Sequence, residues 1–195
     1  AIVMEPIRND PPEDGFLEKV RAVADRCGAV LVFDEITAAM RLRTGGAHVE
    51  FGVNPDVAVF AKGILNGHPM AAVIGRAELM RAAESTFISS TYWTERVGPV
   101  AALATLRKHR ELNVASRLIA AGERIQNGWR ELLRRWEIPG RVFGIAPLAH
   151  LQFDTANSQA VRTLFTQLML DRGYLATGAF YASLAHSNEI IDAYL

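Results

Sequence analysis

The stretch AVLVFDE, residues 29–35, decides the fold of this chain. An apolar run without polar alternation stops at two carboxylates, Asp34 and Glu35. A run of this kind is typical of a strand that is covered on both faces in a parallel sheet. A second such run, residues 57–61, ends at Lys62. The two runs predict neighbouring buried strands, each with an ionisable side chain at its carboxyl end.

Strand and helix patterns on either side of this stretch extend the sheet. Residues 1–4 form an apolar run that predicts a strand ending at Glu5, and residues 13–27 carry apolar side chains at helical spacing. A short apolar run at residues 71–74 predicts a fourth strand. This order predicts an α/β fold with a mostly parallel sheet and flanking helices. Functional groups in such sheets collect at the carboxyl ends of the strands, where the ionisable side chains are expected here.

The second half of the chain indicates a small α+β domain. Two helices are predicted at residues 96–109 and 114–136, and they are followed by two short strands at residues 141–143 and 148–153 and by a helix at residues 158–172. We assign residues 1–108 to the first domain and residues 109–195 to the second. We expect the second domain to be incomplete at its end, because a last helix that begins at Ser187 is still in progress at Leu195.

Composition argues against several classes of function. Lys plus Arg and Asp plus Glu number 21 each in 195 residues, so no net charge directs the chain toward nucleic acid or an anionic membrane. Cys27 is the only cysteine, which excludes an internal disulfide and a cysteine-based zinc site, and we predict no metal site. We interpret Cys27 as a small core residue and expect a cytoplasmic protein. No stretch approaches the roughly 20 uninterrupted apolar residues of a membrane span.

The strand-end pair Asp34-Glu35 is open to three interpretations. In a P-loop ATPase, such an aspartate holds magnesium and the glutamate polarises water. In a cofactor enzyme, a strand-end aspartate pairs with a protonated ring nitrogen. The third interpretation is a structural carboxylate that caps a nearby N–H group. The ATPase interpretation also requires a G-x-x-x-x-G-K-[ST] loop, which these 195 residues do not contain.

Lys62 favours the cofactor interpretation. It directly follows a run that is expected to be buried, and Gly63 after it lets another group approach the backbone closely. Desolvation at the mouth of a sheet exposes the neutral amine that attacks a carbonyl carbon. One loop and one strand separate Asp34 from Lys62, so two adjacent strand ends could present both groups to one ligand. The alternative is an ordinary solvated lysine.

Three ordered blocks of the sequence resemble class III aminotransferases, in the branch related to glutamate-1-semialdehyde aminomutase. They are FDEITAAMR (residues 33–41), PDVAVFAKGILNGHPMAAVIG (residues 55–75) and STYWTERVGPVAALATL (residues 90–106). The resemblance extends more weakly over the whole chain and covers the C-terminal half of the family. It implies part of the large domain of a fold-type I enzyme that uses pyridoxal 5′-phosphate (PLP), followed by the small C-terminal domain. The resemblance also implies that the family's phosphate cup and much of its substrate pocket lie upstream of these residues, and the apolar run at the start of the chain agrees with this expectation.

The resemblance implies roles for four residues. Lys62 would form a Schiff base with PLP and then act as base and acid between the substrate Cα and the cofactor C4′. Asp34 would pair with the pyridine nitrogen and keep the ring protonated. Ile36 would pack against one ring face, with ordinary core packing as the alternative. Thr91 would contact the cofactor phosphate across the interface of a homodimer, with helix capping as the alternative.

Three further residues are candidates for substrate contact or orientation. Glu5 would orient groups of the cofactor site, and Arg8 would meet a substrate carboxylate. His68 would face the substrate or make a structural hydrogen bond. The leading hypothesis is a PLP-dependent aminotransferase or aminomutase that moves an amino group between small amino and carbonyl compounds, and we expect these 195 residues alone to be inactive. The alternatives are a non-catalytic relic of the same fold and an ATPase domain.

Overall fold

The computed structural model of the chain describes residues 1–89, 91 and 94–195. A sheet of four strands forms the centre of its first part. The strands lie side by side in chain order. They are β1 (Ile2–Met4), β2 (Leu31–Asp34), β3 (Val57–Phe60) and β4 (Ala72–Gly75). The first three run parallel and β4 runs antiparallel to β3. The predicted α/β fold with a mostly parallel sheet is confirmed.

The parallel strands bring three carboxyl ends to one edge of the sheet. Asp34, the last residue of β2, lies opposite Val59 of β3. Glu5 directly follows β1, and Lys62 follows β3 after one intervening residue. Because parallel strands end at the same edge, the three ionisable side chains are carried by neighbouring turns.

Helix α1 (Phe16–Cys27) packs against β2. The buried contacts are made by Leu17, Ala24, Leu31 and Phe33. Leu17 and Ala24 are two helical turns apart and therefore face the strand together. Cys27 is exposed, so its interpretation as a core residue is wrong. It ends the helix and lies outside the stripe that Leu17 and Ala24 define.

Short helical segments and one longer helix complete the first part of the chain. Three 3₁₀ segments and two α-helices follow β2: Ala47–Val49, Lys62–Ile64, Arg81–Ser85, α2 (Ala77–Met80) and α3 (Val97–Glu111). Helix α3 was predicted, whereas α2 and the 3₁₀ segments were not. The helix packs Ala102 onto a cluster formed by Ala39, Met40, Ala58, Phe60 and Ile64. Helix α3 thereby contacts both the end of β3 and the loop that follows β2.

A second sheet follows helix α4 (Val114–Arg135). It is antiparallel, and its strands β5 (Gly140–Phe143), β6 (Leu148–Phe153) and β7 (Ala179–Tyr181) lie in that order. Helices α5 (Ser158–Asp171) and α6 (Asn188–Tyr194) accompany them. The core of this part consists of Ile125, Trp129, Leu133, Ala149, Leu151, Phe153 and Ile191. Strand β7 is the element of this sheet that was not predicted.

The chain divides into two compact units, Ala1–Ala115 and Ser116–Leu195. The division falls in the first turn of α4. None of the described helices is both long and apolar enough to cross a membrane. Among the same residues, no group of three or more His, Cys, Asp or Glu side chains is arranged to hold a metal ion.

Candidate active site

Asp34 is oriented by the turn that follows β2. Side chains alternate along the strand, so Asp34 lies on the face opposite the buried Phe33. The Ile36 N–H donates a hydrogen bond of 2.9 Å to Asp34 Oδ1. An aspartate that accepts from the N–H two residues on makes a local turn and loses much of its rotational freedom. The carboxylate is therefore held half-buried at the edge of the sheet, with Ile36 beside it.

Lys62 begins the turn after β3 in an unusual backbone conformation. Its φ is 45°, in the left-handed region that residues with a Cβ rarely adopt. Its side chain is exposed, and Nζ donates a hydrogen bond of 3.0 Å to Thr37 Oγ1. Thr37 lies three residues beyond Asp34, so one loop orients the carboxylate and also holds the amine. Sequence reasoning missed Thr37, and its hydroxyl beside a strand-end acid was the available signal.

Glu35 is buried and structural. It is 0% exposed, and its carboxylate accepts hydrogen bonds from the Ala47 N–H at 2.8 Å, the His48 N–H at 2.8 Å and His48 Nδ1 at 2.7 Å. A Cβ at Gly46 would lie 2.4 Å from His48 Nδ1, so a glycine is needed for this approach. The ATPase interpretation requires Glu35 to polarise water, but both carboxylate oxygens of Glu35 already accept hydrogen bonds from Ala47 and His48. The structure therefore does not favour that alternative.

Glu5 and Arg8 form an ion pair after β1. Arg8 donates to Glu5 Oε1 at 2.9 Å, and the arginine side chain is largely exposed. The other carboxylate oxygen, Oε2, is buried, and no hydrogen-bond donor among the described residues reaches it. Glu5 thus has one oxygen fixed by Arg8 and one without a donor.

The structure does not bring His68 and Thr91 into contact with this group of side chains. His68 is exposed and lines a cavity together with Pro69, Met70 and Val97. Thr91 is exposed in a turn. Its neighbours Ser90, Tyr92 and Trp93, which belong to the third sequence block, lie outside the described residues.

Asp56 braces the opposite ends of the strands. Its carboxylate accepts from the Leu31 N–H at 2.8 Å, from Arg21 at 2.9 Å and from Arg76 at 3.0 Å. Burial raises the pKa of this carboxyl, but the hydrogen bonds from Leu31, Arg76 and Arg21 and the charge of Arg21 outweigh that effect, so its pKa lies below the usual value. Asp56 therefore holds β2, β3 and α1 together as a charged group.

Comparison with known proteins identifies the family. Residues 1–183 match the model of the family described as aminotransferase class-III. The chain belongs to the class III aminotransferase family. The resemblance given by the three sequence blocks is thereby confirmed.

Similar proteins include two curated class III relatives. The 2'-deamino-2'-hydroxyneamine transaminase of Streptomyces kanamyceticus is 30% identical over 195 residues, which cover 100% of this chain and 49% of the relative. The glutamate-1-semialdehyde 2,1-aminomutase of Thermomicrobium roseum is 31% identical over 217 residues, which cover 98% of this chain and 50% of the relative. The class III chain described here thus spans about half the length of the curated relatives that it matches.

A solved structure supports the fold assignment. The FumI protein of Sphingopyxis sp. MTA144, solved in its PLP internal aldimine form, matches with a TM-score of 0.86 and 25% identity. The match covers 92% of this class III chain and 44% of the FumI chain. The predicted fold class, part of a fold-type I enzyme, is confirmed.

Proposed function

We propose that this chain is the Lys62-bearing part of a PLP-dependent aminotransferase or aminomutase. The observation that carries the proposal is the hydrogen bond of 3.0 Å between Lys62 Nζ and Thr37 Oγ1. This hydrogen bond holds the exposed amine of Lys62 beside the loop whose first residues orient the strand-end Asp34. An amine and a carboxylate on adjacent strand ends are the two groups that a pyridine aldehyde needs from its protein.

The residues at this edge fit PLP chemically. When bound, PLP supplies an electron sink for the carbanion that forms when the substrate Cα loses a proton. The Lys62 amine would bind the carbonyl carbon of the cofactor, and once displaced by substrate it would take up and return the proton at Cα. Because the Lys62 side chain is exposed, Nζ can move between the cofactor carbon and the substrate Cα. To do so it would give up its hydrogen bond to Thr37 Oγ1.

Asp34 would hold the ring nitrogen in its protonated form. A negative carboxylate beside this nitrogen stabilises the N–H⁺, and a protonated ring withdraws electrons more strongly than a neutral one. The Ile36 N–H fixes Oδ1 and thereby the plane of the carboxylate. Ile36 itself, half-buried next to this carboxylate, would contact a face of the ring.

A homodimer with Thr91 at its interface is part of the proposal. Three apolar side chains on one face of α3, Val97, Val100 and Leu103, are more than half exposed, and Phe87, ten residues before Val97 in the sequence, is 95% exposed. Apolar side chains grouped in this way are typical of an interface. Thr91 lies between these two regions in the sequence and would donate to the cofactor phosphate of the partner subunit. Thr91→Val should weaken PLP binding measured by fluorescence titration, whereas the control Thr94→Val should leave it unchanged.

The remaining candidates have secondary roles in this proposal. Oε2 of Glu5, which no donor in the described part of the chain reaches, supports a role in orienting a group of the cofactor site. Arg8 would meet a substrate carboxylate after leaving Glu5, and His68 would face the substrate from its cavity. Residues 1–108 would be the C-terminal part of the PLP-binding domain and residues 109–195 the small domain. The substrate would be a small amino or keto compound and the location cytoplasmic.

The test is covalent trapping in the native protein, with any sequence that it carries outside these 195 residues. PLP is added, the mixture is reduced with borohydride, and the modified peptide is located by mass spectrometry. The expected adduct is on Lys62, with Lys19 and Lys108 as internal controls. Lys62→Ala should remove both the adduct and amino-group transfer. A folded native protein without an adduct on Lys62 would overturn the proposal and favour the non-catalytic alternative.

A further inference from the structure

A buried histidine links α3 to the loop that follows β2. His109 lies in the last turn of α3 and is 6% exposed. Its Nε2 is 2.7 Å from the Met40 carbonyl oxygen, and its Nδ1 is 2.8 Å from Thr44 Oγ1. Because a carbonyl oxygen only accepts, Nε2 carries the proton of this hydrogen bond. Both ring nitrogens of His109 therefore bind the loop.

Met40, the residue that His109 binds, has a strained backbone. Its φ is 65°, in the left-handed region. A non-glycine residue keeps such a conformation only where its surroundings fix it. The Met40 N–H donates to the Gly45 carbonyl at 3.0 Å and His109 holds the Met40 carbonyl. Both polar backbone groups of Met40 are thus engaged.

The turn that carries Lys62 rests directly on this strained segment. A Cβ at Gly63 would lie 3.0 Å from the Ala39 carbonyl oxygen and 3.2 Å from Met40 Cβ. Lys62, next to Gly63, is itself left-handed with φ 45°. Gly63 therefore links two non-glycine residues in left-handed conformations, because it follows Lys62 in the chain and approaches Met40 so closely that a Cβ would force a neighbour to shift. A shift of Met40 would displace the backbone of Lys62.

We propose that His109 is a positioning residue for Lys62. It holds the Met40 carbonyl, Met40 packs against Gly63, and Gly63 fixes the turn from which the Lys62 amine is presented. Thr44 keeps the ring in the orientation that this requires. The inference rests on the proposed function, since the amine is the group whose presentation matters.

The test compares two amide variants of the native protein. The amide nitrogen of His109→Gln reaches about as far as Nε2 and can donate to Met40, whereas that of His109→Asn reaches only as far as Nδ1 and retains the contact with Thr44. Lys108→Gln, an exposed neighbour on the same turn, is the control. Two quantities are measured: the rate at which PLP forms the reducible adduct on Lys62, and amide hydrogen exchange of residues 61–66 in cofactor-free protein.

The asparagine variant should form the adduct about tenfold more slowly and exchange residues 61–66 about tenfold faster, the factor that one hydrogen bond represents. The glutamine variant and the control should stay within about threefold of the wild type. Equal rates and equal exchange in the two His109 variants would overturn the role of His109 while leaving the proposed function intact. An absence of the Lys62 adduct in the wild type would instead overturn the proposed function. The exchange comparison would still report on the contact between His109 and Met40.

Discussion

The edge of the first sheet and the core of the second unit are stabilised in different ways. At the edge, buried polar groups such as Glu35 and His109 bind loops, and Met40 and Lys62 adopt left-handed backbones. In the second unit, apolar side chains of α4, β6 and α6 pack together around Trp129. Hydrogen bonds fix the orientation of the groups that they join, whereas burial of apolar side chains stabilises the fold without fixing their orientation. The edge is therefore suited to present reactive groups, and the core is suited to hold a unit folded.

The largest effect on stability is expected in the core of the second unit. Trp129 is 3% exposed, and its Nε1 donates to Tyr194 Oη at 3.1 Å. Trp129→Ala should lower the free energy of unfolding by about 3–5 kcal/mol, measured by chemical denaturation. Trp136 is 64% exposed and is the matched control, for which Trp136→Ala should cost less than about 1 kcal/mol. The rate of adduct formation on Lys62 should be unchanged in both folded variants. A change of that rate in Trp129→Ala would contradict the distinction between a core that only stabilises and an edge that presents reactive groups.

A smaller loss of stability is expected when Glu35, the buried acid at the edge of the first sheet, is replaced. Unlike the change at Trp129, this replacement should also alter the rate of adduct formation on Lys62. Glu35→Ala would leave three donors of residues 47 and 48 without an acceptor. The free energy of unfolding should fall by about 3 kcal/mol, and adduct formation on Lys62 should slow because the loop that carries Thr37 loosens. Glu50→Ala is the control, since Glu50 is exposed and its ion pair with Arg43 spans 3.6 Å. Unchanged adduct formation in Glu35→Ala would show that the edge does not depend on this loop.

The sequence predicted the parts of the fold that local pattern determines. The continuous apolar runs of β2 and β3 are typical of buried parallel strands, and their abrupt ends predicted Asp34 and Lys62 at one edge. Strand β7 escaped prediction because three residues after Gly178 carry too little periodicity. Cys27 was misassigned because an apolar position at a helix end need not face the core.

The contacts that surround Lys62 could not be predicted, because they join distant parts of the chain. His109 meets Thr44 across 65 residues, and no local pattern connects them. Glu35 was recognised as a strand-end acid, but its acceptance of three hydrogen bonds depends on the path of a loop that has no periodicity. Thr37 gains its role only when Lys62 is brought beside it by the pairing of β2 and β3. Sequence therefore predicted which groups lie at the edge, and tertiary structure determines what holds them.

The contact between the two left-handed turns provides a test with an intermediate effect. Gly63 is not itself in the left-handed region, so Gly63→Ala adds only the steric contact with the Ala39 carbonyl oxygen and Met40. The free energy of unfolding should fall by about 2 kcal/mol, and adduct formation on Lys62 should slow. Gly52→Ala is the matched comparison, because Gly52 has φ 70° and no atom near its hypothetical Cβ. It should cost about 1 kcal/mol through backbone strain and leave Lys62 unaffected.

The smallest effect, and one that depends on pH, is expected at Asp56, which braces the first unit by charge. Its folded pKa is lowered below the usual 3.8, so the stability that it contributes is fully present above that value and is lost as the pH falls through the folded pKa. Asp56→Asn should cost about 1–2 kcal/mol at neutral pH, and the difference from the wild type should shrink at pH values below about 4. Asp25→Asn is the control, because Asp25 pairs with the same Arg21 but its side chain is 64% exposed. Chemical denaturation between neutral and acid pH measures both variants. A difference between Asp56→Asn and the wild type that stayed constant with pH would mean that Asp56 braces the strands by shape and hydrogen bonding alone.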